Sequence, residues 1–214
     1  MLPQDHPLYE QQRRALDERD AKLFMYCVSS HEQARYLCEH LHLLRGRGMY
    51  EDALVEAYET DRATPGVWRY LFAFADRDRL RAAGSPFPQK GPFTLYRGVA
   101  GVGWKGRVRG FSWTGSLDVA RWFAGRTTYA FKRLSNPHVF TVTVREADVL
   151  FYTNERKWDE YVLRTENLRP RKIERVTEEA FHEIERVHKE ELLREREEVA
   201  SHATRIRVRG CGES

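Results

Sequence analysis

Cysteine is scarce in this chain. Cys27, Cys38 and Cys211 cannot all pair, and their spacing is not that of a zinc site. No apolar run approaches the roughly 20 residues that cross a bilayer, and Met1–Asp5 is not a basic segment leading into an apolar one. His40 and His42 diverge on a helix, so they form no metal site. We therefore expect a cytoplasmic protein with no membrane partner and no metal.

The 214 residues suffice for one large domain or for two tightly packed halves. Hydrophobic residues make up 41%, a slightly low fraction, whereas charged residues make up 32% and aromatic residues 12%. Disordered chains lack aromatic residues, so this composition indicates a folded protein with a heavily charged surface.

The net charge of +4 is small, but its distribution is uneven. Positions 174–198 carry ten acids against five bases, whereas positions 96–133 carry eight bases against one acid, a net +7. A basic centre suits the phosphates of a nucleotide or of a nucleic acid, although scattered solvated arginines produce the same pattern. The eight basic residues are Arg97, Lys105, Arg107, Arg109, Arg121, Arg126, Lys132 and Arg133.

Helical periodicity dominates the first 85 residues. The segment Ser30-His31-Glu32-Gln33 matches a capping box and predicts a helix that ends at Arg45-Gly46-Arg47-Gly48. Apolar stripes predict further helices from Tyr50 and from Pro65, which is a favoured first-turn residue. The stretch before Cys27 is also predicted to be helical.

Short β-prone segments follow residue 85 and are interrupted by one helix that carries Ala120, Phe123 and Ala124. A charged helix with Ala180, Ile184 and Val187 on one side begins at Thr177. We predict an α+β fold: a helical N-terminal region (1–85) packed on a small, mostly antiparallel β core (86–176), with a C-terminal helix and tail (177–214). The predicted strands are Phe93–Gly98, Val108–Trp113, Val139–Val144, Val149–Phe151, Tyr161–Leu163 and Ile173–Val176.

Three motifs of the β region combine chemically useful residues. Tyr96-Arg97-Gly98 ends a predicted strand, where the arginine can hold a phosphate and the glycine admits a ligand close to the backbone. Ser112-Trp113-Thr114 ends the next strand, and Glu160 stands at the entry to a later one. Each motif alone also fits an ordinary role: a solvated arginine, a helix cap or a loop acid.

In this order and spacing the three motifs resemble the Arg–Ser–Glu signature of mono-ADP-ribosyltransferases, over roughly positions 93–176. The resemblance implies an ADP-ribosyltransferase-type β core with NAD as co-substrate. It implies catalytic roles for Arg97, Ser112 and Glu160. The NAD-binding residues that it implies are Tyr96, Arg97, Gly98, Ser112, Thr114 and Phe123.

The residue types fit this reaction. Cleavage of the bond between nicotinamide and ribose develops positive charge on the ribose, which the carboxylate of Glu160 would stabilise. Arg97 would clamp the pyrophosphate. An aromatic ring of Tyr96, Trp122 or Phe123 would stack on nicotinamide, although helical spacing also suits Phe123 to the core.

Two departures from the family pattern concern the acceptor. The middle motif is Ser-Trp-Thr rather than Ser-Thr-Ser, which leaves Ser116 as an alternative member. Trp158 stands two residues before Glu160, where arginine-modifying relatives carry Glu and others carry Gln. Tryptophan cannot act as a base, so arginine modification is disfavoured, whereas the ring can stack on a nucleobase. The candidate acceptor-binding residues are Tyr152, Asn154, Arg156, Lys157 and Trp158.

We therefore expect a toxin-like, NAD-dependent ADP-ribosyltransferase of bacterial or phage type that modifies a macromolecule, with RNA favoured over protein. Plain NAD hydrolysis is a third reaction open to this fold. A non-catalytic nucleic-acid-binding module that stacks bases on Trp104, Trp113 and Trp122 is an alternative of another class. An interaction protein that binds an antitoxin or regulatory partner through the helix from Thr177 is a further one.

Overall fold

A computed structural model describes residues 1–60, 63–102, 108, 110–155, 158–166, 168–190 and 194. These residues form eight α-helices and a six-stranded antiparallel sheet. The predicted α+β class is thereby confirmed.

Six of the helices lie within the first 83 residues, as the helical periodicity predicted. Helix α5 begins with Pro65, and Asp76 caps α6 by accepting hydrogen bonds from the backbone N–H groups of Asp78 and Arg79. The six helices are α1 (Tyr9–Glu18), α2 (Ala21–Tyr26), α3 (Gln33–Arg47), α4 (Tyr50–Thr60), α5 (Pro65–Phe74) and α6 (Arg77–Ala83).

The capping box predicted before α3 is wrong. The helix begins at Gln33 without a side-chain cap. Gln33 is buried, and its amide donates to the backbone oxygens of Met25 at 2.9 Å and Val28 at 3.3 Å, which ties α3 to the end of α2. The predicted end of α3 is confirmed, because Gly48 adopts the left-handed φ of 72° that commonly terminates a helix.

The strands agree closely with the predicted segments. The exception is Val108–Trp113, where the strand is confined to three residues, Ser112–Thr114, and where Arg109 lies outside the described residues. The six strands are β1 (Phe93–Val99), β2 (Ser112–Thr114), β3 (His138–Val144), β4 (Val149–Thr153), β5 (Glu160–Leu163) and β6 (Arg171–Arg175). Their order in the sheet is β4-β5-β2-β1-β3-β6.

Two helices follow β2. Helix α7 (Leu117–Gly125) continues into a π-helical turn, Arg126–Ala130, and α8 is helical at residues 178–190. Of the three residues predicted to share one side of α8, Ala180 and Val187 are exposed, and the buried apolar residue of this helix segment is Phe181. Of the predicted region 177–214, positions 191–193 and 195–214 lie outside the described residues.

Contacts group the chain into two compact units. The first comprises Met1–Leu95, Arg109–Gly115 and Thr143–Arg169, and the second comprises Tyr96–Val108, Ser116–Val142 and Pro170–Ser214. Both units are assembled from separated stretches of sequence. Neither unit coincides with one of the three consecutive regions that we predicted. The division into those regions stays a prediction.

The first unit contains one core in which helices and strands pack together. The buried side chains of Phe111, Leu150, Phe151 and Val162 belong to the same hydrophobic cluster as those of α1–α6. The predicted packing of the N-terminal helices on β-structure is thus observed for the strands of this unit.

The second unit has a smaller core, in which α7 packs directly on β1. Ala120, Ala124, Val139, Val176 and Phe181 are its buried apolar residues. A Cβ atom at Gly98 of β1 would stand only 1.8 Å from the backbone oxygen of Ala120. Glycine is therefore required at this position for the helix to approach the strand.

We expect Gly98→Ala to lower the free energy of unfolding by about 3 kcal/mol, because the added methyl group must displace the backbone of α7. Urea denaturation followed by circular dichroism measures the change. Gly46→Ala is the matched control, since nothing lies within 4 Å of its Cβ position inside α3. The control should leave stability unchanged or raise it by roughly 0.5–1 kcal/mol. Equal transitions in the two variants would contradict the packing.

Candidate active site

Glu160 begins β5 and lies opposite a threonine on each neighbouring strand. It is paired with Thr114 of β2 on one side and with Thr153 of β4 on the other. Directly opposed residues of antiparallel strands extend their side chains from the same face, with Cβ atoms about 5 Å apart. The two threonines are buried and Glu160 is half-buried, so Glu160 is the most exposed residue of this row.

The sequence-predicted Ser112 belongs to this face as well. Alternate residues of a strand share a face, so Ser112 and Thr114 lie on the face of Glu160 and Trp113 lies on the other. Trp113 is 1% exposed, and its ring N–H donates to the backbone oxygen of Gly110 at 2.9 Å. Its expected use as a stacking platform is wrong, because the ring is part of the interior.

A narrow cleft opens beside Glu160 within the first unit. Its lining residues are Glu59 of α4, Thr153, Trp158 and Glu160, and its volume is about 10 Å³, close to that of one water-sized sphere. The Thr153 hydroxyl donates a hydrogen bond to the Glu59 carboxylate. Sequence reasoning missed Glu59, because only the packing of α4 against β4 brings it to the strand motifs.

Trp158 is anchored through its backbone. The Thr114 hydroxyl donates to the carbonyl oxygen of Trp158 at 2.7 Å. We predicted that the Thr114 side chain contacts NAD. In the structure it binds the segment that precedes Glu160. Its contact with NAD stays a prediction.

The residue before Glu160 forms a tightly held turn. Asp159 adopts a φ of +50°, a conformation that non-glycine residues seldom adopt. Its N–H donates to Asn154 Oδ1 at 3.1 Å, its carbonyl accepts from Gly115 N–H at 3.2 Å, and its carboxylate accepts from the Tyr152 hydroxyl at 2.7 Å. These three bonds orient the backbone from which the Glu160 side chain projects.

The Asp159 carboxylate lies on the face opposite to Glu160. It accepts a hydrogen bond from Tyr152, and the Tyr152–Tyr161 pair is adjacent along the strands to the Thr153–Glu160 pair, so its side chains extend from the other face. Burial raises the pKa of Tyr161 to about 12, and the charge of Asp159 adds to this effect. Burial and the hydrogen bond to Asp159 likewise raise the pKa of Tyr152.

Two of the predicted acceptor-binding residues thus have observed roles in this turn. Tyr152 is buried and holds the Asp159 carboxylate, while Asn154 is exposed and holds the Asp159 N–H. Their contact with an acceptor stays a prediction. Arg156 and Lys157 lie outside the described residues.

The other predicted NAD contacts lie in the second unit. Tyr96, Arg97 and Gly98 are consecutive residues of β1 and are half-buried. Tyr96 packs against the core of the unit. The Cβ side of Gly98 is occupied by α7, so the close approach at this glycine is made by a helix. The role of Arg97 on the pyrophosphate stays a prediction.

A cluster of basic and aromatic side chains lies in the last turn of α7 and in the residues that follow it. The Arg126 guanidinium lies 4.7 Å from the ring centroid of Trp122 and 4.8 Å from that of Phe131, and the Arg133 guanidinium lies 5.6 Å from the latter. Phe131 is 49% exposed. We refer to Trp122, Arg126, Phe131 and Arg133 as the cation–π cluster.

Phe123 adjoins this cluster without belonging to the buried core. It is half-buried, and its ring meets that of Trp122 at an angle of 78° with a centroid distance of 5.1 Å. The core positions of α7 are instead Ala120 and Ala124. The stacking of Phe123 on nicotinamide stays a prediction.

Not every base of the +7 segment is available to an anion. Arg121 donates two hydrogen bonds to Glu174, at 2.6 and 2.9 Å, and one to Asp118 at 2.9 Å. Lys105, Arg107 and Arg109, together with Trp104, lie outside the described residues.

Ser116, the alternative member of the middle motif, caps α7. Its hydroxyl accepts a hydrogen bond from Val119 N–H at 3.3 Å, which satisfies a donor of the first helical turn. This capping role accounts for a small hydroxyl residue at the position.

No protein-family model matches the chain, and neither a curated protein nor a solved structure matches it. Among the residues that the structure describes, no group of histidine, cysteine, aspartate or glutamate side chains is arranged to hold a metal ion. Within the same described ranges, no helix has the length and apolar character needed to span a membrane.

The Arg121–Glu174 pair makes the stability of the protein dependent on pH. Its hydrogen bonds lower the pKa of Glu174 below the usual glutamate range. The stabilisation is therefore present at neutral pH and is lost as the pH falls through the folded-state pKa. We expect the free energy of unfolding to decrease below about pH 4, and to decrease less steeply in Glu174→Gln. Urea titrations at several pH values measure both slopes. In an Arg121→Gln background the additional Glu174→Gln change should leave the slope unaltered; an equal effect in both backgrounds would contradict the pairing.

Proposed function

We propose that the chain is an NAD-dependent mono-ADP-ribosyltransferase that transfers ADP-ribose to a macromolecular acceptor and releases nicotinamide. The observation that carries the proposal is the strand register that puts Ser112 and Thr114 on the same face as Glu160. These are the residues of two of the three motifs that suggested the activity. Thr114 and Ser112 precede Glu160 by 46 and 48 positions in the sequence. The fold brings them together, because Thr114 and Glu160 are paired across neighbouring strands.

Glu160 supplies the stabilising charge. As the bond between ribose C1′ and the nicotinamide nitrogen lengthens, its electron pair leaves with nicotinamide and positive charge develops on the ribose ring. The Glu160 carboxylate accepts a hydrogen bond from a ribose hydroxyl and stabilises this charge. The Asp159 turn and the buried threonines support this role, because a preorganised carboxylate stabilises the transition state without first having to reorient.

Arg97 holds the pyrophosphate of NAD through its planar guanidinium, which is suited to bidentate phosphate recognition. Tyr96, Gly98 and Ser112 complete the NAD contacts in this proposal, with Phe123 against nicotinamide. Arg97 contributes by positioning, because a held pyrophosphate restricts the motion of the rest of NAD while the bond breaks. The biological setting proposed for the enzyme is that of a toxin-like protein of bacterial or phage type acting in the cytoplasm.

The acceptor that we favour is RNA. The cation–π cluster supports this choice, since it combines an exposed ring with two guanidinium groups, and single-stranded nucleic acids bind to surfaces of stacked rings and positive charge. Trp158 supports it as well, because this half-buried residue lines the same cleft as Glu160 and has a side chain that can stack on a base.

We expect Glu160→Gln to lower NAD cleavage and ADP-ribose transfer by about 10³-fold, because the amide cannot supply the negative charge that the transition state requires. Nicotinamide release measures cleavage, and unchanged thermal unfolding verifies the fold. Glu166→Gln is the control, since Glu166 is an exposed acid on the segment after β5. Full activity in Glu160→Gln would contradict the proposed function.

The acceptor class is tested by incubating the protein with labelled NAD and a total cell extract, and then with nuclease or protease. We expect the label to be lost on nuclease treatment. The double change Phe131→Ala and Arg133→Gln should lower labelling of total RNA about tenfold or more while leaving nicotinamide release in the absence of RNA within twofold, because the cluster binds acceptor and not NAD. Label lost only to protease would identify a protein acceptor, and nicotinamide release without label would identify an NAD glycohydrolase.

A non-catalytic nucleic-acid-binding module is the second candidate function, and the same cation–π cluster favours it. Such a module needs no carboxylate, so its RNA affinity should be unaffected by Glu160→Gln and no nicotinamide should be released by the unaltered protein. Electrophoretic mobility shifts with total RNA, measured beside nicotinamide release, separate the two functions.

A further inference from the structure

We propose that Glu59 is the general base of the reaction and that the group it activates is a hydroxyl. The inference rests on the proposed function, because it assigns a second catalytic carboxylate to the same site. It also narrows the acceptor to a hydroxyl-bearing one: a ribose hydroxyl of RNA in the favoured case, or water in the hydrolytic one.

The positions of the two carboxylates carry this inference. Glu59 comes from α4 and Glu160 from β5, and both line the cleft that Thr153 and Trp158 complete. The cleft measures about 10 Å³, which matches a single hydroxyl or water oxygen. A nucleophilic oxygen in this space would contact both acidic side chains.

The Glu59 side chain is held in place from two directions. Helix α4 buries Tyr50, Ala53 and Leu54 in the core of the first unit, which fixes the helix that carries Glu59. The Thr153 hydroxyl donates to Glu59 Oε1, and Thr153 is itself paired with Glu160 across the strands. A base borne by a rigid helix and oriented by a hydrogen bond meets the geometric demands of proton transfer.

Transfer to a hydroxyl gives two carboxylates different tasks. Glu160 stays hydrogen-bonded to the ribose hydroxyl while positive charge is present on the ribose, so it is not available to take a proton from the acceptor. In glycosyl transfer to water, one carboxylate assists the departure of the leaving group and a second removes the proton of the attacking oxygen. The other two residues of the cleft, Thr153 and Trp158, carry no group that is basic at neutral pH.

The step balances in atoms and electrons. The bond between C1′ and nicotinamide breaks, and nicotinamide leaves with the electron pair as a neutral molecule. A lone pair of the acceptor oxygen forms the new bond to C1′, and the hydroxyl proton passes to the Glu59 carboxylate. The proton is then released to solvent, which restores the base.

Glu59→Gln tests the assignment, because the amide retains the shape and hydrogen-bonding capacity of the side chain but cannot accept the proton. We expect NAD hydrolysis and the labelling of total RNA to fall by about 10²-fold or more. Glu56→Gln is the matched control: it removes a carboxylate one turn earlier on α4 that pairs with Lys22 at 3.8 Å and does not line the cleft. It should stay within twofold of the unaltered protein at pH 8.

Sodium azide distinguishes a catalytic role from a structural one. Azide is an anionic nucleophile that needs no base, so it should raise nicotinamide release by Glu59→Gln at least tenfold and yield ADP-ribosyl azide, detectable by mass spectrometry. It should not rescue Glu160→Gln, which lacks the charge that stabilises the ribose. Glu59→Asp retains a carboxylate and should therefore keep more activity than Glu59→Gln. This variant tests whether the activity lost in Glu59→Gln is due to the missing base or to a change in the fold.

The outcomes separate the two proposals. If Glu160→Gln is inactive while Glu59→Gln is fully active, or if azide fails to rescue a folded Glu59→Gln, the assignment of Glu59 is wrong and the transferase proposal stands. If the unaltered protein releases no nicotinamide, or if Glu160→Gln is fully active, the transferase proposal itself is wrong.

Discussion

The antiparallel register of β5 with β2 and β4 is the constraint on which the candidate site depends. A slip of one residue would turn Glu160 to the other face and bring Asp159 or Tyr161 into its place. The aromatic face opposes such a slip, because Tyr161 is buried against Phe93 and Tyr152 with centroid distances of 5.0 and 4.8 Å. Apolar packing on one face of the sheet therefore determines which carboxylate is presented on the other.

Local patterns in the sequence predicted most elements but few of their tertiary partners. The helices and strands follow from apolar periodicity, because their buried faces are continuous along the chain. The prediction of a capping box failed because the Gln33 amide donates its hydrogen bonds to the carbonyl groups of Met25 and Val28, near the end of α2. A capping box would have required its side chain to bond to the backbone at the start of α3. Phe181 was overlooked on α8 because its packing partners, Ala120, Ala124 and the backbone at Gly125, belong to α7 and are remote in sequence.

The candidate site shows the same division between local and tertiary information. Ser112, Thr114 and Glu160 were recognisable because strand motifs retain their order and spacing in sequence. Glu59 was not, since it lies some hundred positions before Glu160 and nothing in its own helix distinguishes it from Glu56. Counting charges along the sequence was similarly incomplete, because it gave Arg121 and Arg126 the same weight. Arg121 is bound by two carboxylates, whereas Arg126 lies against two aromatic rings.

The way in which Thr114 holds Trp158 has a consequence for the divergence of such sites. The hydrogen bond is made to the main-chain carbonyl, so it is independent of the side chain at this position. A different residue at this position keeps the carbonyl group that accepts the bond. In the transferase that we propose, a substitution at position 158 would therefore change the surface offered to an acceptor without removing the bond that holds the segment before Glu160, which decouples what is modified from how it is modified.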